Sequence, residues 1–377
     1  MGYAENYLPK ALGKLGHEVH LITTDLQIYA TSKDYDEIYK SHLGPKQVEK
    51  GMFKNKFFTL HRCSHFLEKG INIPELGDKL RSIQPNIVYC FEILLPTNLT
   101  VISLKKELNY KIFCESRLHL SVFKKPLTIK SKLKQILIAL KSKNENKEIE
   151  LFYPIAIDVK KVLVKYYGIP RNKCKISSLA VDTDVFAVTK DKTLIDELRI
   201  SLGFKASDVV CIYTGRFTNE KDPLTLAKAI NFLHENGEVD FKAIFVGQGD
   251  KNYELEILNR KGCILHNFIS ATELPLFYQT FDIGVWPKQE STSQLDAAAS
   301  GLPIIISDKV QDIFRIDGNG LSFEESNYKD LAKKILELKD YNKRKRLGEI
   351  GLNKILNNYS WDILAKSKIR DFQTFFK

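Results

Sequence analysis

The sequence predicts an α/β fold built as two successive parallel-sheet halves, and three observations lead there. Apolar runs with helix and strand periods alternate along most of the chain with short breaks between them, the pattern of parallel strands joined by helical crossovers. The cycle pauses at a polar stretch, residues 189–193, and then restarts. At 377 residues the chain exceeds what one hydrophobic core usually supports, so two domains of roughly 150–200 residues are expected.

In the first half, residues 5–15 read as an amphipathic helix stopped at Gly16, a residue suited to the left-handed position past a helix end. Strands follow over 18–23 and 57–62, where apolar, aromatic and threonine residues cluster. Residues 74–83 form a helix opened by Pro74, 86–90 a buried strand, 97–107 a helix and 111–114 another strand. A helix over 158–167 is ended by Gly168 and Pro170, and 175–179 is read as a strand.

In the second half, strands are expected over 209–213, 241–246, 263–266, 283–286 and 303–306. They alternate with helices over 223–235, 252–260, 273–279 and 294–300. Helices over 328–338 and 341–358 close the cycle. This makes two Rossmann-like domains, 1–187 and 188–360, with a C-terminal helix in 361–377 that crosses back to the first. A Rossmann half opens with a buried strand ahead of its first turn. Here the chain starts at Met1-Gly2 and enters the helix directly, so that strand is expected to be missing. A misplaced start explains this better than a real truncation, because an unfilled central position would leave the N-terminal core open.

An apolar fraction of 44% is ordinary for a folded protein, and no low-complexity tract argues for disorder. No run of about 18 apolar residues occurs, and the N-terminus lacks the layout of a signal peptide. Six scattered cysteines without a CxxC pair read as reduced, buried thiols of a cytosolic protein rather than disulfides or zinc ligands. The net charge of +11 is uneven: between Lys124 and Lys147 stand eight lysines against one acid, Glu145.

Two stretches carry chemistry. In Tyr213-Thr-Gly-Arg-Phe-Thr-Asn-Glu-Lys-Asp-Pro223 a strand ends in Gly215, Arg216 follows, and Lys221 stands just before a helix begun by Pro223. A strand-to-helix loop can aim both cations at one diphosphate, the arginine as a bidentate fork and the lysine as a point charge. Two solvated surface cations fit this segment equally well. In the second stretch, Trp286 to Pro303, a polar loop leads into a short helix whose free amides suit phosphate, with the hydroxyls of Ser291, Thr292 and Ser293 beside them. Asp296, placed in the first turn, can accept two ribose hydroxyls. The plainer alternative is a helix capped by Ser293.

The motifs GHEV (16–19), VDTDVF (181–186), GRFTNEKDP (215–223), VGQGD (246–250) and ES…DAAASGLPIIISD (290–308) occur in this order. Together they resemble the retaining GT-B glycosyltransferases, specifically the large family 4-like group that includes mannosyl- and glucosyltransferases of bacterial envelope polysaccharides. The resemblance implies two Rossmann-like domains facing across a cleft, and a donor diphosphate gripped by Arg216 and Lys221 without a metal or other cofactor. It implies an acidic pair, Glu290 at the donor sugar and Asp296 at the ribose, with a spacing two residues shorter than the family's and Asp in place of the second Glu. It further implies Gly2 as the N-terminal glycine turn and His119 as the histidine beside the reacting carbon. Phe268 and Ile269, after the strand 263–266, are the candidates for the base side. The function implied is transfer of a hexose, with retention, from a nucleoside-diphosphate sugar to a glycan or lipid-linked acceptor. Asp182-Thr-Asp184 imitates a metal-binding DxD motif but lies in a turn at the domain boundary and is read as structural.

The segment Lys124–Lys143 places Ile129, Leu133, Ile136, Leu137 and Leu140 at helical spacing with lysines on the other faces. Such a helix suits either an anionic membrane surface or ordinary packing on the sheet with solvated lysines. The first would make the protein cytoplasmic and peripheral on the inner face of the plasma membrane. A binding protein of the same fold that has lost catalysis is the alternative reading, motivated by the absent strand and the shortened acidic loop. A nucleic-acid partner is not expected: no helix-turn-helix, zinc finger or RNP-like motif occurs, and the charge is concentrated in one segment.

Overall fold

The computed structural model describes residues 4–33, 35–67, 70–120, 137, 140, 142–143, 145–188, 191–288, 290–310 and 313–376. The chain divides into two compact units, one formed by residues 4–178 with 365–377 and the other by 179–364.

The first unit runs α1 (Ala4–Lys14), β1 (His20–Thr24), β2 (Gly51–Lys54), β3 (Thr59–Cys63), a small hairpin of β4 (Phe66–Leu67) and β5 (Ile71–Asn72), α2 (Leu76–Ile83), β6 (Ile87–Phe91), α3 (Pro96–Leu108), β7 (Lys111–Ser116), β8 (Leu151–Pro154) and α4 (Ile157–Tyr166). Its strands fall into separate sheets. In one, β1 pairs parallel with β3, and β2 adds antiparallel on the far side. In the other, β6, β7 and β8 run parallel in that order. Side chains of β6 alternate between two apolar layers. Val88 and Cys90 pack with Leu80 and Val101 from α2 and α3, while Ile87 and Tyr89 face a cluster of Phe113, Tyr153 and Phe372.

The second unit continues with α5 (Lys192–Ser201), β9 (Val209–Thr214), α6 (Pro223–Glu235), β10 (Phe241–Val246), α7 (Lys251–Leu258), β11 (Cys263–His266), α8 (Leu274–Thr280), β12 (Ile283–Trp286), α9 (Thr292–Ala299), β13 (Ile304–Ser307), β14 (Gly320–Phe323), α10 (Tyr328–Leu336) and α11 (Tyr341–Asn358). Its six strands form one parallel sheet in the order β11-β10-β9-β12-β13-β14. The central β9 is buried at every position because it is paired on both edges. That burial explains why parallel strands read as unbroken apolar runs. The last helix, α12 (Trp361–Gln373), passes from this unit to the first at residue 365, and its Phe372 packs at a tilt against Phe113 with ring centroids 4.3 Å apart.

Several expectations need correction. Residues 175–179 are not a regular strand. Lys175 and Ser177 donate to the carbonyls of Phe152 and Pro154, but the pairing stays outside the ladder. Strands β2, β4, β5, β8 and β14 and helix α5 were not expected; the strands have two to four residues, and α5, capped by Asp191, buries none of its residues. All six cysteines are free and buried. Among the described residues no helix is long and apolar enough to cross a membrane. Most of Lys124–Lys143 lies outside the described residues.

Candidate functional site

In a parallel sheet the loops at the carboxyl ends of the central strands are where ligands bind. The second unit joins two such loops closely. The loop after β9 donates from Gly215 N to Val246 O at 3.0 Å and from Phe217 N to Gln248 O at 2.9 Å. A Cβ on Gly247 would meet Gly215 O at 2.0 Å, so only glycine permits this approach. Tyr213 Oη donates to Arg216 O at 2.9 Å, and Trp286 Nε1 to Thr214 O at 3.1 Å. The start of the Arg216 loop is thereby held on both sides. Arg216 itself is exposed, with no ion pair among the described residues.

Lys221 follows a tight turn in which the Lys221 and Asp222 amides both donate to Thr218 O, and Asp222 adopts φ 51° immediately before Pro223 opens α6. This sends the lysine across to the turn ahead of α9, where its Nζ donates to Glu290 O at 3.2 Å. Burial pushes the ammonium's pKa down, and the neighbouring Arg216 and Arg315 act the same way, against Glu290. The helix N-cap is Ser291, not Ser293: its Oγ accepts the Ser293 amide at 3.3 Å. Arg315 lies beneath this turn, only 7% exposed, donating to Ser291 O at 2.8 Å and to Gln294 Oε1 at 3.2 Å. The structure thus brings Lys221, Glu290, Ser291 and Arg315 together around one helix N-terminus.

Asp296 is 6% exposed and sits in the second turn of α9 rather than the first, since the helix begins at Thr292. Burial pushes its carboxyl up to about 7, with Arg315 opposing. Beside it, Tyr278 Oη shares a hydrogen bond of 2.8 Å with Thr214 Oγ1. Past β11, Phe268 is 47% exposed while Ile269 is buried.

His119 belongs to the other unit, where its Nδ1 pairs with Asp158 Oδ2 at 3.0 Å, and the same carboxylate accepts the Leu120 amide at 3.1 Å. Gly2 lies outside the described residues. Asp182 accepts the Asp184 amide through Oδ1 at 3.1 Å and closes its own turn. Arg315 and the tyrosine–threonine pair were not anticipated. A lone arginine amid the apolar run Ile313-Phe-Arg-Ile316 was the available signal for the first.

This fold is that of the GT-B glycosyltransferases, two Rossmann-like domains in one chain. Residues 195–354, within the second unit, match the family described as glycosyl transferases group 1. It is similar to a glycosyltransferase from Rickettsia africae (TM-score 0.68, 16% identity, covering 100% of this chain and 96% of that one). It is also similar to Anabaena Alr3699/HepE in complex with UDP and glucose (TM-score 0.62, 14% identity, 80% and 82% covered). The Escherichia coli enzyme UDP-Gal:alpha-D-GlcNAc-diphosphoundecaprenol alpha-1,3-galactosyltransferase is 26% identical over 158 residues, 39% of this chain, and the match spans 40% of that enzyme's length.

Proposed function

We propose that the protein transfers a hexose from a nucleoside-diphosphate sugar to a glycan or lipid-linked acceptor, with retention and without a metal. The observation that carries this reading is the reach of Lys221 to the Glu290 carbonyl at the N-terminus of α9, with Arg315 below. Fixed cations at the positive end of a helix suit a departing diphosphate, whose charge grows as the glycosidic bond breaks. Arg216 and Lys221 take the two phosphates, with Ser291, Thr292 and Ser293 adding donors, and Asp296 takes the ribose. Glu290 and His119 serve the sugar, and Phe268 and Ile269 the base. The bond from the anomeric carbon to the diphosphate oxygen breaks while the acceptor oxygen bonds on the same face, its proton passing to the leaving phosphate.

UDP-glucose and UDP-galactose are the first donors to test, given the UDP-sugar named for the E. coli relative and the UDP and glucose in the Anabaena complex. NMR of the product decides the stereochemistry: an α-linked product from an α-linked donor is expected, and a β-linkage overturns retention. The lysine-rich segment 124–143 is proposed to rest on anionic lipid. Vesicles containing anionic lipid should sediment the protein at low salt and release it at high salt, and failure to co-sediment ends that part of the reading.

A further inference from the structure

Strand β7 ends in a short segment, Ser116–Leu120, that carboxylates from other elements tie down at both ends. At its start, Ser116 Oγ donates to Glu92 Oε1 at 2.6 Å and the Arg117 amide to Glu92 Oε2 at 2.9 Å. Glu92 stands just past β6 with φ 73°, and Leu94, two residues on, has φ 58°, a backbone region that residues with a side chain rarely occupy. At the far end, His119 Nδ1 pairs with Asp158 Oδ2 at 3.0 Å, and the Leu120 amide donates to the same oxygen at 3.1 Å. Asp158 belongs to the first turn of α4, and its Oδ1 accepts the Val159 amide at 2.8 Å. All of these groups follow the carboxyl ends of β6, β7 and β8, the edge of a parallel sheet where ligands bind. Strained backbone concentrates at such edges when they are functional.

We propose that Asp158 is a positioning residue: it holds His119 as the Nδ1–H tautomer, so that Nε2 meets a hydroxyl of the donor sugar as a hydrogen-bond acceptor. The hydrogen-bond pattern fixes the tautomer. A carboxylate only accepts, so each of its three partners here must donate. Two of them are backbone amides, and the third proton therefore sits on Nδ1. A neutral imidazole carries one ring proton, which leaves a lone pair on Nε2. Burial pushes the Asp158 carboxyl up, but the hydrogen bonds from His119 and the Leu120 amide outweigh it and hold the group below its ordinary value. It is thus ionised at neutral pH, as an acceptor must be. The imidazole is 38% exposed, within reach of a ligand, whereas the Asp158 side chain is 16% exposed and acts through the ring. An accepting Nε2 takes a hydroxyl, the group a hexose offers, and has nothing to give an ionised phosphate oxygen. The sugar contact rests on the reading of His119 as a sugar-side residue; the tautomer does not.

Nitrogen NMR of the imidazole rings in the full chain, with His119 assigned by the signal missing from His119→Ala, reads the tautomer directly. The wild-type ring should carry its proton on Nδ1. In Asp158→Asn the side-chain amide can donate to Nδ1, and the proton should move to Nε2. His65, whose Nδ1 pairs with Asp25 at 2.5 Å, should not change and serves as the internal control. Asp158→Glu restores a carboxylate and should return the proton to Nδ1. Release of UDP from UDP-glucose and UDP-galactose, with water as the acceptor, should fall about tenfold or more in the Asn variant and recover in part in the Glu variant. A wild-type ring protonated on Nε2 overturns the proposal, and so does an Asn variant whose tautomer stays put. Equal loss of activity in the Asn and Glu variants, with opposite tautomers, also overturns it, since the carboxylate then only supports the fold. Full activity in His119→Ala, with the tautomer shift intact, instead overturns the placement of His119 at the sugar and leaves the Asp158 pairing standing.

Discussion

Asp296 is poised between two demands. Burial holds its carboxyl up to about 7, yet a carboxylate is what accepts ribose hydroxyls. The folded protein therefore keeps the proton between pH 4 and 7 where the unfolded chain has released it, and this group's contribution to stability falls as pH rises through that window and levels off above it. Asp296→Asn should remove that decline from melting temperatures measured between pH 4.5 and 8. Donor binding pulls the other way under the proposed ribose contact, which needs the ionised acid. The affinity for UDP-glucose, measured by calorimetry, should weaken by up to about tenfold per pH unit below 7 in the wild type and lose that slope in the Asn variant. An affinity flat with pH in the wild type counts against the ribose contact. The proximity of Arg216 and Lys221 was legible because they stand five residues apart within one loop. Arg315 was not, because its role comes from contact with a turn 24 residues away, which sequence order does not carry.

At the scale of elements, the long apolar strands of the second unit and their helices were legible because both edges or a whole face are buried, so burial writes itself into the sequence. Strand β14 buries only Phe323 and β8 runs into Pro154, so neither gives an unbroken apolar run, and residues 175–179 have strand composition but no full ladder. The Ser291 cap was displaced by two residues in the reading because three hydroxyl residues in a row offer the same signal. What the sequence hides best is the closeness of two loops. Gly247, at φ +148°, brings the β10 loop onto Gly215 O, and a methyl group there has no room. Gly247→Ala should lower stability by about 3 kcal/mol in denaturant titration and weaken donor binding, since the Arg216 loop hangs on the displaced backbone. Gly237→Ala, whose Cβ meets nothing within 4 Å, is the comparison that separates backbone strain from crowding.

For the whole molecule, the division into two units sets up unequal stabilities. The unit of residues 179–364 holds one continuous six-stranded sheet and a large buried apolar cluster. The unit of residues 4–178 with 365–377 carries its strands in smaller sheets, with half-buried β1 and β6 beside a cavity of about 570 Å³. Among the described residues β1 and β6 each have a single ladder partner, and half-buried strands beside a cavity lower stability in that unit. Calorimetry should therefore resolve two transitions, the first abolishing the exchange protection of β7 and α4, the second that of β9 and β10. Adding UDP at 100 times its dissociation constant contributes about 2.7 kcal/mol to whatever binds it. Under the proposed grip of Arg216 and Lys221 on the diphosphate, the upper transition should move by several degrees and the lower one hardly at all. Movement of the lower transition alone would place the nucleotide in the other unit and remove the assigned roles of Lys221 and Asp296 together.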